Sequence, residues 1–420
     1  MNSESCHFSY GRIKVLIVVF ITSLVLFSCN EQPTFVGETL LQDTVTLYAL
    51  STSTNDLISG DSTFIFNINT VNKGTFHIGK ANGITALTLV RFNEPLKQNT
   101  NDYDFFASYD ESKIVSCKIK LYPLRYTFGD STNPNSLSFR VYRVNNWWSN
   151  LTTYDSLESG NIIDKSQEVG RFNGSISQKD TMDAIDFDLS KKVFLDWCKQ
   201  WYNTKKGDTS IVWGLAFVAD EGSSVIRQFA GTSQNSTNVI EMIVTYLDST
   251  NTLDTLVVKE AMDKPFYKID NFDSKSITVQ GGTTLRSRLY FDVSQIPVLS
   301  AIHSAQFEMT VKTDGCVYGN FGMDSTLYVE LYPNGHTLDK DTSLKTYMAE
   351  KKENKFFIGS ITSSVEYWNR NGGKGFLVFH PEGARNERWE LDRLQFYGTN
   401  EPDSSKRPSL KIIYSRIRGK

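Results

Sequence analysis

Cys117-Lys118-Ile119-Lys120-Leu121 sets its apolar residues on one parity and its lysines on the other. Successive side chains of an extended chain point to opposite faces, so this stretch reads as a strand with one face in a core and one in water. The same period of two recurs outward along the chain. It appears in Ile240-Glu241-Met242-Ile243-Val244, in Ala305-Gln306-Phe307-Glu308-Met309-Thr310-Val311 and in Leu327-Tyr328-Val329-Glu330-Leu331. Short alternating runs separated by polar turns are the pattern of antiparallel sandwiches. Aromatic residues make up 13% of the chain, with 19 Tyr and 27 Phe, which favours strands over helices. Two stretches differ. Ser190-Lys191-Lys192-Val193-Phe194-Leu195-Asp196-Trp197 and Thr362-Ser363-Ser364-Val365-Glu366-Tyr367-Trp368 each open on a capping residue and repeat Val and Trp at three or four. Each predicts a short helix docked on a sheet. The fold class expected is all-β.

The alternation comes in two copies. Ile114–Leu121 aligns with Ile302–Met309, Phe92 with Phe291, Gly214–Phe217 with Gly375–Val378, Phe229–Thr232 with Phe396–Thr399, and Tyr246 with Tyr414. Order and strand parity are kept. A repeat of this length predicts two homologous β-domains, 60–250 and 251–420, joined at Asp248-Ser249-Thr250-Asn251-Thr252, after a tether and first strand over 29–59.

The second copy carries Arg286-Ser287-Arg288-Leu289-Tyr290-Phe291-Asp292-Val293, then Leu394-Gln395-Phe396-Tyr397-Gly398-Thr399, then Arg407-Pro408-Ser409-Leu410-Lys411-Ile412-Ile413-Tyr414. Together these resemble the DNRLRE-type module, a jelly-roll β-sandwich similar to carbohydrate-binding modules. The first copy is more divergent: it keeps Val141-Tyr142-Arg143-Val144, then Trp147-Trp148, but lacks the Arg-Pro before its last strand. The resemblance implies two tandem jelly-roll-like antiparallel sandwiches, each with a short helix. Function follows from it by analogy alone.

At the N-terminus, Arg12 and Lys14 precede an uncharged apolar run of 13 residues, Val15–Phe27. A spanning helix needs about 20, so the run fits a signal-peptide core. Leu26-Phe27-Ser28-Cys29 resembles a bacterial lipobox, which implies a signal peptide over 1–28 and acylation of Cys29. Several acyl chains hold where one is marginal. The layout is similar to outer-membrane lipoproteins of Gram-negative bacteria, so the expected location is the outer membrane, through the N-terminal lipid. A net charge of −3 and a pI near 6.0 exclude a nucleic-acid binder that works through a basic surface. After Cys6 and Cys29, three scattered cysteines remain, Cys117, Cys198 and Cys316, which form neither a disulfide framework nor a metal pair. Cys117 reads as a small core residue.

Two loops are candidate glycan sites. Trp147 and Trp148 follow a strand beside Asn145, Asn146 and Asn150, and adjacent residues point apart, so one indole packs while its neighbour faces water. In the second copy, Arg385, Arg388, Trp389 and Arg393 make a charged loop suited to charge-assisted hydrogen bonds with an acidic or neutral glycan. Trp197, Trp201 and Trp368 are expected in helix–sheet packing and Trp213 in a core strand. Asp102, Asp104 and Asp110 share a loop but lack calcium-loop spacing, so no metal or cofactor is expected. Asp43-Thr44-Val45, Asp180-Thr181-Met182 and Asp254-Thr255-Leu256 match an Asp-Ser/Thr-apolar glycosylation triplet. The five histidines are dispersed, and no nucleophile elbow or phosphate loop occurs. The expectation is a non-catalytic, polysaccharide-binding lipoprotein. The alternative is a structural or adhesive envelope protein that holds a protein partner and no sugar.

Overall fold

The alternating stretches fold as strands. A computed structural model describes residues 46–66, 69–93, 106, 108–129, 137–176, 183–203, 214–233, 237–270, 272–274, 276–282, 285–322, 325–332, 343–381 and 390–416. In chain order the elements begin with β1 (Leu47–Ser51), β2 (Ile58–Ile65), β3 (Thr75–Ala81), β4 (Ile84–Phe92), β5 (Ile114–Leu121), β6 (Pro123–Gly129) and β7 (Leu137–Val144). There follow α1 (Tyr154–Ser159), β8 (Ile163–Gly174), β9 (Ile185–Asp188), α2 (Lys191–Asn203), β10 (Gly214–Ala219), β11 (Val225–Ala230), β12 (Glu241–Leu247) and β13 (Leu253–Ile269). The remainder is β14 (Ile277–Gln280), β15 (Leu285–Asp292), β16 (Ala301–Thr310), β17 (Thr326–Leu331), β18 (Lys345–Lys352), β19 (Lys355–Ile358), α3 (Thr362–Arg370), β20 (Lys374–Pro381), β21 (Arg393–Phe396) and β22 (Ser409–Ser415). Every strand pairing among them is antiparallel. The chain is an all-β sandwich protein, as the period of two predicts.

The strands form two units, each with its own core, but the units are not consecutive in sequence. One is built from β3 to β13. The other takes β14 to β22 together with β1 and β2. The expected boundary at 248–252 is therefore corrected. That stretch is the turn of the β12–β13 hairpin, whose partners run from Glu241↔Lys259 to Leu247↔Leu253. The physical reason is an exchange of leading strands. β13 lies on β12 with its first half and on β4 with its second. In the second unit the matching places, beside β22 and β15, are filled by β1 and β2. Each sequence repeat thus begins with strand that completes the other repeat's sheet. The connections run side by side: Thr63 N–H donates to Ser274 O at 3.1 Å, and Asn72 N–H to Asp263 O at 3.1 Å.

β13 serves two layers because it bulges between Glu260 and Met262. One extra residue reverses parity. Leu256, Val258 and Glu260 are buried before it, and Asp263 after it. The bulge so gathers two acids around Thr232, which donates its hydroxyl to Glu260 Oε1 at 2.9 Å and its N–H to Asp263 Oδ2 at 2.7 Å. Burial pushes both carboxyls up, Asp263 to about 7.

The first core packs between β3, β4, β7, β10 and β11 on one side and β5, β9 and β12 on the other, closed by Val193, Phe194, Trp197 and Cys198 of α2. In the second, α3 inserts Val365 and Trp368, and Trp368 stacks on Phe291 at 4.8 Å. Gly375 beside that indole leaves no room for a Cβ. Both expected helices are present, and α1 is a third that the repeat did not announce. Cys117 and Cys198 are buried, and burial pushes the Cys117 thiol to about 12. Tyr126 of β6 locks the units together. Its hydroxyl donates to Asp392 Oδ1 at 2.7 Å and accepts from Leu391 N–H at 2.6 Å, among Ala81, Ile84, Phe128 and Ile226. No helix among the described residues is long and apolar enough to cross a membrane.

Candidate functional site

The outer face of the first unit's larger layer is apolar where a solvated sheet would be polar. Leu87 and Leu89 of β4, Ala216 of β10 and Phe266 of β13 present it. Over it lies the segment from Asn145 to Ser166. Thr153 caps α1 through the N–H of Ser156, and the Ser156 hydroxyl accepts from Thr153 N–H in return, a reciprocal capping box. This fixes a six-residue helix too short to persist alone. Leu157 turns down into the cluster, and Asn161 adopts φ 46°, the left-handed conformation that returns the chain to β8.

Three polar anchors hold the segment. Lys264 of β13 donates to the carbonyls of Asn150 and Thr152, both at 2.7 Å, and to Ser149 at 3.4 Å. Burial pushes this ammonium down to about 8. Asn146 donates its amide N–H to the carbonyls of Gly160 and Asn161, both at 3.2 Å. Its amide nitrogen thus ties the two ends of the segment together instead of facing a ligand. Asn145 N–H donates to Ile162 O at 2.9 Å.

The tryptophans part as adjacent residues should. Trp148 is 4% exposed and packs in the apolar cluster, its indole N–H without a hydrogen-bond partner. Trp147 is 47% exposed, with the Arg91 guanidinium 4.9 Å from its ring centre. Further along the same face is a groove of about 540 Å³. Leu87, Leu157 and Ile163 floor it, and Tyr154, Glu158, Asn161, Asp164, Lys165 and Ser166 rim it. Ser166 donates its hydroxyl and N–H to Asp164 Oδ1, which holds that carboxyl below its usual range. Burial, then Glu158, raises the Tyr154 phenol, so it stays a neutral donor. Sequence reading missed Arg91, Tyr154, Asp164 and Lys264. Only the capping box, Thr153-Tyr154-Asp155-Ser156, left a local signal.

The second candidate loop fares differently. Arg385, Arg388 and Trp389 lie outside the described residues, as do Cys29, Asp102, Asp104, Trp213 and the first two glycosylation triplets. Arg393 is not in a loop: it opens β21, pairs with Gln280, and its Nε is buried without a hydrogen-bond partner. Asp110 caps a short turn through Ser112. Thr255 is exposed on β13 opposite Thr245. Trp197 packs on Phe92, and no group of three or more His, Cys, Asp or Glu suited to a metal ion occurs among the described residues.

One other ionic cluster lies on the outer face of the second unit. Glu330 accepts from Tyr332 at 2.7 Å and lies 3.4 Å from His380 Nε2 and 3.8 Å from Arg286. Burial would raise its carboxyl, but His380, Tyr332 and Arg286 together hold it down to about 2. Arg288 beside it is ringed by Phe64, Tyr290 and Phe376. The Glu330 carboxylate is thus met by groups of its own sheet. The Arg286–Phe291 motif behind the family resemblance is therefore β15 packing on both faces.

No family model matches the chain, and no curated protein does. The resemblance to DNRLRE-type modules thus has no support from these comparisons. Among solved structures the chain is similar to the crystal structure of infectious bursal disease virus VP2 subviral particle. That match has 11% identity and a TM-score of 0.11 over 89% of this chain and 76% of the other, a likeness that carries no argument.

Proposed function

We propose that the chain is an outer-membrane lipoprotein, held by acyl chains on Cys29, whose first sandwich binds polysaccharide without acting on it. The observation that carries this reading is the exposed Trp147 indole, placed by a pinned segment along the same face as the polar-rimmed groove. An indole face covers the apolar face of a pyranose ring, while amide, hydroxyl and carboxylate groups take its hydroxyls. Leu87 and Arg91 are four residues apart on β4, about 13 Å, a span for several linked rings rather than one. The rim carries two carboxylates and one ammonium, which favours a neutral or amino-bearing glycan over a uronate. Affinity electrophoresis of residues 30–420 on neutral, amino-bearing and acidic polysaccharides tests this. Retention is expected on one of the first two and about tenfold weaker in Trp147→Ala. No retention on any polysaccharide would sink it.

The second reading is a spacer or adhesive platform without a sugar ligand. The Tyr126–Asp392 lock favours it, because a rigid pair of sandwiches projects a partner surface at fixed distance. Crosslinking and pull-down from outer membranes would recover a defined protein partner under this reading and none under the first.

A further inference from the structure

We propose that the end of the second sandwich where the chain enters from its N-terminal segment is a contact surface for an anionic phospholipid bilayer. Three strands meet there in register. Leu47 of β1 and Ala301 of β16 flank Ser415 of β22 from either side. The turn before Ala301 therefore lies beside the point where the chain enters at 46. That turn carries Val298, 71% exposed, and Leu299, 64% exposed, and Leu47 and Ile413 beside it are 61% and 42% exposed.

Leu299 adds a second, independent observation. Its φ is 68°, a left-handed conformation that bulky residues avoid, yet its side chain is mostly exposed to solvent. Glycine would relieve the strain, so an exposed leucine held there points to something that covers it.

Charge identifies the occupant. Ser409–Arg416 contains Lys411 and Arg416 and no acid, and Val298–Ser304 contains none either. Apolar side chains rimmed by cations fit a headgroup layer that carries phosphates over acyl chains. The inference rests on the lipid-anchored reading only for which membrane is met.

Vesicle flotation with unacylated residues 30–420 tests it, using phosphatidylethanolamine–phosphatidylglycerol vesicles against phosphatidylcholine vesicles. Binding is expected to the first, to weaken with added salt, and to fall about tenfold in Leu299→Gly and in Val298→Asp. Arg416→Gln is expected to cost about fivefold. The Leu299→Gly chain should melt no lower than the wild type, which separates lost contact from lost fold. Equal binding to both vesicles, or unchanged binding in both loop variants, overturns the proposal. Mass measurement of the mature N-terminus reads the anchor separately: an unacylated Cys29 would sink the lipoprotein reading and leave the vesicle result standing.

Discussion

Replacing Trp147 and Trp148 by alanine, one at a time, separates ligand contact from packing at two neighbouring positions. Trp148 is 4% exposed, and truncating a buried indole costs about 3–5 kcal/mol. The lower end is expected, because its unpaired N–H already carries a desolvation penalty of about 1–3 kcal/mol that disappears with the ring. Trp148→Phe keeps most of the buried carbon and removes that N–H, so it should change stability by less than about 1 kcal/mol. Trp147 is 47% exposed and gains from Arg91 about 0.5–1 kcal/mol. With half an indole's burial added, Trp147→Ala should cost about 1.5 kcal/mol. The assay is urea unfolding of each variant beside affinity electrophoresis on the retaining polysaccharide. Trp147→Ala should lose affinity with the fold intact, Trp148→Ala should lose both, and Trp148→Phe neither. Equal destabilisation by the two alanine variants would refute the assignment of faces.

The acids at the β13 bulge predict a pH dependence. Both have raised folded pKa values, so the folded chain keeps protons that the unfolded chain releases, and stability falls as pH rises from near 4 through about 7. Thermal melts of Asp263→Asn should show a flatter profile over that window. Tyr126→Phe should cost about 2 kcal/mol by removing a donor from buried Asp392, and calorimetry should then resolve two transitions, one per unit. Cys117 and Cys198 should resist maleimide labelling until the chain is unfolded, because both thiols are buried and protonated.

What was legible in the sequence was whatever a local pattern can carry. Cys117–Leu121 alternates because β5 has one face on the core, and Val193 and Trp197 recur because one side of α2 docks. The opposed faces of Trp147 and Trp148 follow from backbone geometry alone. Lys264 was not legible, because nothing beside it in sequence announces the carbonyls of Asn150 and Thr152, over a hundred positions away. Arg393 misled because a run of charges reads as a loop, whereas its place is set by pairing with Gln280. The repeat itself was visible, but its sheets were not: alignment shows which strands correspond, never which copy each one completes.

That exchange of leading strands makes the sharpest test of the architecture. Cutting at 250/251, where the repeat suggests a boundary, removes β13 from the first unit. It strips the edges of β4 and β12 and exposes the places of Leu256, Val258 and Phe266. At about 2 kcal/mol for each such side chain, the loss is about 6 kcal/mol, comparable with the whole stability of a domain. The fragment 251–420 loses β1 and β2, and with them Leu57 from its core. Neither fragment should give a folded monomer by circular dichroism and dispersed amide resonances, but mixing the two should restore a one-to-one complex. A chain in which residue 66 is linked directly to residue 272, omitting the first unit, should fold alone, because Thr63 and Ser274 already meet across that junction. Two independently folded monomers from the 250/251 cut would mean that each repeat keeps its own leading strand, and the pairing of β13 with β4 and of β2 with β15 would be wrong.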